Sequence, residues 1–547
     1  MIATRPRVWA LASSFIPVVL FAISLDRMLA GEISAARPNI IVILVDDMGW
    51  SDIGCYGSDI PTPNLDGLAR NGLRFTQFYN TARCCPTRAS LLTGLYPHQA
   101  GVGHMVEDKG EDHPGYRGRL NDRCVTMAEV LRPAGYFTAM TGKWHVAQNH
   151  GITPWGRGFD RSLNAAAGGF YFPDSPRTEL FLNGQLVGRR GNGVPDEWYS
   201  SDLWTQFGLK FIDEARAAKQ PFFLYLAHNA PHFPLQAPPE DIARFRGRFK
   251  SGWDKLRTER YERQKALGLI DPAWPLSPRA PDVTAWDSLS VDEQDRFDHI
   301  MAIYAAVVSC MDRAVGTLVD GLKERGLLDN TLILFMSDNG GNAESGPKGR
   351  LEGNLPGDAQ STVFCGESWA NLQNTPFRRY KHFNHEGGIA TPLIVHWPAG
   401  IKARGELRHQ PGHLVDIMAT VVEVGGAKYP REVNGQLIQA MEGRSLLPAF
   451  DNRPIERNAL YWEHEGNAAI RVGDWKLVRK GRGGAWELYN LQADRTELND
   501  LAAQEPGRAK ELAAQWQAWA KRTNVVPYPS ERAKKKEAKA AKAKARS

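Results

Sequence analysis

Six consecutive apolar residues, 40–45 (IIVILV), run directly into Asp46-Asp47. A run this rich in β-branched residues is what a strand covered on both faces requires. A second run, Thr331–Ser337 (TLILFMS), ends in Asp338-Asn339-Gly340, and a third lies at 221–227 (PFFLYLA). Strands covered on both faces need helices above and below them. Shorter strand signals at 73–78 and 137–140 alternate with helix-like stretches at Pro63–Arg70 and Met127–Leu131. Over 291–326, apolar residues from Phe297 to Leu318 recur at helical spacing until Gly326 stops them. The pattern predicts an α/β domain with a largely parallel central sheet and helices on both faces.

Past about residue 400 the pattern changes. A helix is expected at 414–424, followed by short strands at 459–462, 469–472, 476–478 and 486–489, and a last helix at about 508–519. These describe a small α+β unit with an antiparallel sheet. Residues 241–290 are charged and punctuated by proline, as helix and loop lying over the main domain. The expected division is a leader at 1–36, a main domain at 37–400, a C-terminal unit at 401–525 and a tail at 526–547.

The 547 residues hold 67 Lys+Arg against 61 Asp+Glu, a formal charge of +6. Residues 531–547 alone contain eight Lys/Arg and two Asp/Glu, so the rest of the chain balances at 59 of each sign. The basic pI thus reports a tail expected to be solvated, and a nucleic-acid-binding body is disfavoured. Arg5 and Arg7 precede an uncharged stretch at 8–25, and Ser34-Ala35-Ala36 supplies small residues, the layout of a cleaved export signal. The apolar stretch is also long enough for a retained anchor. Export is expected, to the periplasm or outside, without stable membrane association once the leader is removed. Six cysteines without regular spacing are no disulfide scaffold in a chain this long.

The chemistry concentrates at strand ends. In an open parallel sheet, ligands bind beyond the carboxyl ends of the strands. Asp46-Asp47 and Asp338-Asn339 could there meet around one hard cation, since oxygen-only ligation suits Ca²⁺ or Mg²⁺ rather than Zn²⁺. Taken singly, either pair could equally form an Asx-turn. Cys84-Cys85-Pro86-Thr87-Arg88 precedes Leu91-Leu92-Thr93-Gly94. Pro86 suits a helix first turn, which puts residue 84 at a positive helix end fit for an anion. A buried structural Cys84 and a vicinal disulfide with Cys85 are the plain readings. A phosphatase-type thiolate would need five residues between Cys and Arg, and only three follow Cys84.

Cys84-x-Pro86-x-Arg88 with Thr93-Gly94 resembles the signature of the type I sulfatases. Further matches follow in family order: Gly142-Lys143-Trp144-His145, Ala230-Pro231-His232-Phe233-Pro234-Leu235-Gln236, Asp338-Asn339-Gly340, and Lys381 before Glu386-Gly387-Gly388. Together they span about residues 39–400 and are similar to bacterial arylsulfatases, as are residues 253–264 and 486–501. One departure is Ala390 before Thr391-Pro392, where many relatives carry Arg-x-Pro.

The resemblance implies an alkaline-phosphatase-like fold and sulfate-ester hydrolysis. It implies that a formylglycine-generating or equivalent maturation enzyme oxidises Cys84 to formylglycine. It also implies one Ca²⁺ per chain held by Asp46, Asp47, Asp338, Asn339 and residue 84. The aldehyde hydrate would attack sulfur, steadied by Arg88, while Lys143 and Lys381 hold sulfate oxygens. His232 and Lys381 would protonate the leaving alcohol, and His145 would take the proton that lets sulfate depart. The substrate would be a sulfated small molecule or glycan. A phosphate or phosphonate monoester hydrolase on the same scaffold is the catalytic rival, and a sulfoglycan-binding protein without activity is the non-catalytic one.

Overall fold

A computed structural model describes residues 37–529 and the first two residues. The rest of the expected leader, and the basic tail from residue 530 on, lie outside the described residues.

The strands β1 (Asn39–Val45), β2 (Leu73–Tyr79), β3 (Phe137–Lys143), β4 (Arg161–Ala165), β5 (Leu180–Leu182), β6 (Gln185–Val187), β7 (Phe222–Ala227) and β8 (Thr331–Ser337) build most of one eleven-stranded sheet. Its order is Glu406–Arg408, β2, Ala390–His396, β8, β1, β7, β3, β4, β5, β6, with Gly412–His413 also on β2. The centre, β8-β1-β7-β3-β4, is parallel. Ala390–His396 runs antiparallel to both its neighbours, and β5 and β6 form an antiparallel hairpin at the far edge. The sheet is therefore parallel where the site lies and mixed toward its edges.

β1 shows why both faces must be covered. Ile41, Ile43 and Val45 pack into one hydrophobic core, and Ile40, Val42 and Leu44 into the other. This is the period-2 alternation of a pleated strand with no solvent face. Helices Ser200–Ala217 and Val291–Glu324 cover the first face, and Cys84–Thr93 and Val415–Val424 the second. Val291–Glu324 is long and apolar enough to cross a membrane, but 83% of its apolar window is buried inside the fold. A capping box between Ser290 and Glu293 opens it.

The antiparallel sheet begins only at Leu460. Its strands are Leu460–His464, Asn467–Val472, Trp475–Arg479 and Glu487–Asn490, joined as a meander. Helix Pro506–Arg522 packs on it through Leu512, Trp516 and Trp519. Residues 406–413 instead extend the central sheet through β2.

Candidate active site

The register of β1 on β8 pairs Val45 with Ser337. The next residues of each strand, Asp46 and Asp338, are therefore side by side, and Asp338 N–H donates to the Val45 carbonyl at 3.0 Å. Asn339 Nδ2 donates to Asp47 Oδ1 at 2.7 Å. Pairing of β7 with β1 and β3 brings in the ends of two more strands. Lys143 closes β3, and its Nζ lies 2.5 Å from Asp46 Oδ2. The strand reaches Lys143 because residue 142 is glycine: at φ +104°, a Cβ there would sit 1.9 Å from the Ala227 carbonyl oxygen.

Cys84 is the first residue of helix Cys84–Thr93 and is buried. One turn on, Arg88 is fully buried. Its guanidinium donates to Asp338 Oδ2 at 2.9 Å and to the Lys143 carbonyl at 2.9 Å, and lies 3.6 Å from Asp46 Oδ2. Cys84, Cys85 and His145 present ligand atoms within 4.8 Å of one another. Cys84 and Cys85 are free thiols, so the vicinal disulfide does not form. Hydrogen bonding from Cys85, then Lys143 and His145, hold the Cys84 thiol well below its usual range despite burial. Burial and the Lys143 charge push His145 down to about 4, a neutral imidazole at neutral pH.

His232, just past β7, places Nε2 at 3.6 Å from Asp47 Oδ2 and stacks on Phe233. Lys381 is buried, with Nζ 2.8 Å from Asp47 Oδ1. Its loop folds tightly onto Gly387-Gly388, where a Cβ on Gly388 would lie 1.9 Å from the Phe383 carbonyl oxygen. All ten residues singled out in the sequence thus converge on one buried pocket at the carboxyl end of the sheet.

The electrostatics are dense. Burial pushes the Asp46 carboxyl up, but Lys143, His232 and Arg88 outweigh it and hold it below the usual range. Asp47 is held far lower by Lys381 and His232. Asp338 moves the other way: burial and the Asp46 charge push it well above. Asp46 and Asp47 keep Lys143 and Lys381 protonated. Asp47 and His145 adopt left-handed φ values of +66° and +54°, which are uncommon outside glycine and concentrate at functional sites.

Sequence reasoning missed several participants. Asn342 Nδ2 donates to Asp47 Oδ2 at 2.6 Å, and Thr87 Oγ1 to the Asp338 carbonyl at 2.6 Å. Arg83, next to Cys84, pairs with Glu344 at 2.7 Å, and Glu344 lies 3.5 Å from Lys381. Asn342 and Arg83 were findable as neighbours of the two motifs; Glu344 carries no local signal.

A family model described as Sulfatase matches residues 38–427. A second, described as N-sulphoglucosamine sulphohydrolase, C-terminal, matches 378–521. An uncharacterized sulfatase of Schizosaccharomyces pombe is 35% identical, with 91% of this chain and 96% of that protein covered. An arylsulfatase of Klebsiella aerogenes is 37% identical over 78% of this chain and 95% of its own length. The N-acetylgalactosamine-6-sulfatase of Sus scrofa is 28% identical, over 84% of this chain and 74% of its own. Among solved structures, Ps i-CgsB in complex with k-i-k-neocarrahexaose is similar, with a TM-score of 0.66, 28% identity and coverage of 88% and 93%.

Proposed function

The chain belongs to the sulfatase family and hydrolyses sulfate esters, and from that premise we propose that it desulfates an aryl or carbohydrate sulfate using a formylglycine made from Cys84 and one bound Ca²⁺. The observation that carries this reading is the convergence of four oxygen-donor residues, two lysines, an arginine and two histidines around the first residue of one helix.

The pocket fits a hard dication. Asp46 Oδ1 and Asn339 Oδ1 are buried without a hydrogen-bond partner. The donor set is all oxygen, which favours calcium over zinc. Asp46, Asp47, Asp338 and Asn339, with residue 84, would hold the ion, which when bound supplies Lewis-acid polarisation and positive charge against sulfate. The pocket also fits an oxidised residue 84, at a helix N-terminus beside Lys143 and His145. A formylglycine there supplies, as its hydrate, two hydroxyls on one carbon.

The remaining work falls to side chains already in position. Arg88 fixes the first turn of the helix to Asp338 and Lys143. Lys143 and Lys381 hold sulfate oxygens as point charges. His232 and Lys381, both against Asp47, deliver a proton to the departing alcohol oxygen, and His145 accepts a proton at residue 84. The sulfated sugars named for the Sus scrofa relative and the neocarrahexaose bound by Ps i-CgsB support a glycan as one substrate class. We also read the chain as exported, in line with the charge and apolar pattern of residues 1–36, and as matured by a formylglycine-generating type of enzyme.

Peptide mass spectrometry on active protein tests the nucleophile. Residue 84 should have lost its sulfur as an aldehyde while Cys85 remains a thiol; an intact thiol at 84 in fully active protein would sink the reading. Elemental analysis without added metal should find calcium near one per chain. A sulfate-release screen over aryl sulfates and sulfated oligosaccharides identifies the ester.

A further inference from the structure

At the edge of the catalytic pocket, which it meets through Arg83 and Glu344, a cluster of three histidines and a glutamate gathers from three separate segments. His104 lies in the loop after helix Cys84–Thr93, His382 directly follows Lys381, and His464 ends strand Leu460–His464, with Glu465 in the turn beyond it. Glu465 is the hub. Its Oε1 lies 2.7 Å from His104 Nε2, and its Oε2 3.5 Å from His382 Nδ1 and 3.9 Å from His464 Nε2. The His464 ring neighbours both other imidazoles, with its centroid 5.9 Å from that of His104 and 5.6 Å from that of His382. Ligand atoms of His382, His464 and Glu465 all fall within 4.8 Å of one another. Two ligands at normal zinc distances in a tetrahedron are ~3.3 Å apart, so small side-chain rotations close this set on one ion.

His464 supplies the independent observation. It is fully buried, and neither ring nitrogen has a hydrogen-bond partner among the described residues. The 3.9 Å approach to Glu465 is too long for a hydrogen bond. Ordinary packing would leave both polar atoms of this buried ring unsatisfied, whereas an ion facing Nε2 satisfies one of them. A hydrogen-bonded cluster centred on Glu465 accounts for His104 and His382 but not for His464.

The outer nitrogen of His382 faces a carboxylate, with Nε2 3.4 Å from Glu344, whereas His104 Nδ1 lies 3.5 Å from Glu107 without a hydrogen bond to it. Metal-bound imidazoles commonly turn their other nitrogen to a carboxylate, as His382 does. His382 Nε2 also contacts Arg83. The Arg83 guanidinium can only donate, so Nε2 accepts here and Nδ1 carries the proton; an ion at Nδ1 displaces that proton and requires the Arg83 contact to open so that Nε2 can turn its N–H to Glu344. His104 and Glu465 also border a cavity of roughly 360 Å³ shared with Lys109, Tyr116 and Arg482, which gives an ion a route in.

We propose that His104, His382, His464 and Glu465 form a second metal site, chemically distinct from the oxygen-donor pocket, that binds a transition-metal dication such as Zn²⁺. Imidazole-rich sites select zinc, copper or nickel over calcium or magnesium. The ion clamps the loop of His104, the loop of Lys381 and the first turn of the C-terminal sheet to one another.

The test is calorimetric titration of full-length protein, already saturated with Ca²⁺, with Zn²⁺ alone. One zinc per chain should bind at sub-micromolar Kd and raise the unfolding temperature. His104→Gln, on a partly exposed loop side chain, and Glu465→Gln should each weaken zinc binding at least tenfold. Visible absorption of the Co²⁺-loaded protein should show low-coordinate d–d bands that both variants lose. Absence of zinc binding at micromolar concentration, or unchanged affinity in both folded variants, overturns the proposal.

Discussion

At the scale of single residues, the pocket is an arrangement of opposite charges on buried side chains. Lys143 is held by Asp46 and Lys381 chiefly by Asp47, the two residues just past β1, so neither needs to reorganise when an anion arrives. Replacing Lys143 by Met keeps the stem and removes the charge. Steady-state kinetics on an aryl sulfate should then show kcat falling by ~10²–10³, the cost of deleting one preorganised charge at a transition state. A loss below about threefold would mean Lys143 serves packing alone. The ten expected site residues were legible because each sits inside a motif or at a strand end, where chemistry and chain geometry coincide. Glu344 was not, because its place beside Lys381 is set by a loop fold over 341–361 that no periodicity reports. His104 and the pair His464-Glu465 were illegible for the same reason: these two distant segments meet the loop of His382 only through the C-terminal sheet.

At the scale of elements, the strands that read most clearly are those buried on both faces. β1, β7 and β8 appear within a residue of their expected ends. β3 runs three residues past the expected end at 140, because Thr141, Gly142 and Lys143 look like a loop but are all buried. The edge hairpin β5–β6 went unread, although Asn183-Gly184 is the turn pair such a hairpin needs, at φ +47° and +87°. The C-terminal sheet acts on the site through one buried network. Glu386, five residues after Lys381, accepts from Lys476 at 2.8 Å and Arg495 at 2.8 Å, and all three are fully buried. Burial would raise the Glu386 carboxyl, but Lys476 and Arg495 hold it down to about 2 against an ordinary value of 4.5. A depressed folded value contributes stability that is full above pH 4.5 and is lost as pH falls toward 2. The gap is worth ~3 kcal/mol. Denaturant midpoints of wild type should therefore fall over that window, and Glu386→Gln should flatten the fall. At pH 7 the same variant leaves two buried cations short of a partner and should cost ~3–5 kcal/mol. Unchanged midpoints at pH 7 would show that Glu497, also 2.8 Å from Lys476, suffices alone.

At the scale of the whole molecule, charge is divided between a balanced body and a basic end. Inside the body, Asp46, Asp47 and Asp338 crowd together at the end of the sheet, and if the proposed dication sits among them, its removal would expose their mutual repulsion. Chelation should lower both activity and unfolding temperature, and added Ca²⁺ should restore both by mass action. Recovery of full activity with Zn²⁺ but not Ca²⁺ would contradict the oxygen-donor assignment. The basic end behaves differently. Residues 531–547 carry a net +6, the whole formal charge of the chain, and contain none of the ten site residues. At physiological ionic strength charges separated by water are screened beyond ~8 Å, so the tail can tune the field in a buried pocket only if it comes close to it. A small aryl sulfate reaches the pocket by diffusion and needs no long-range steering. Truncation after residue 530 should therefore leave kcat/KM for such an ester within about twofold, at both low and high salt. A large loss that salt also produces in the full chain would mean that the tail steers the anion electrostatically. A large salt-independent loss would mean that it folds against the pocket.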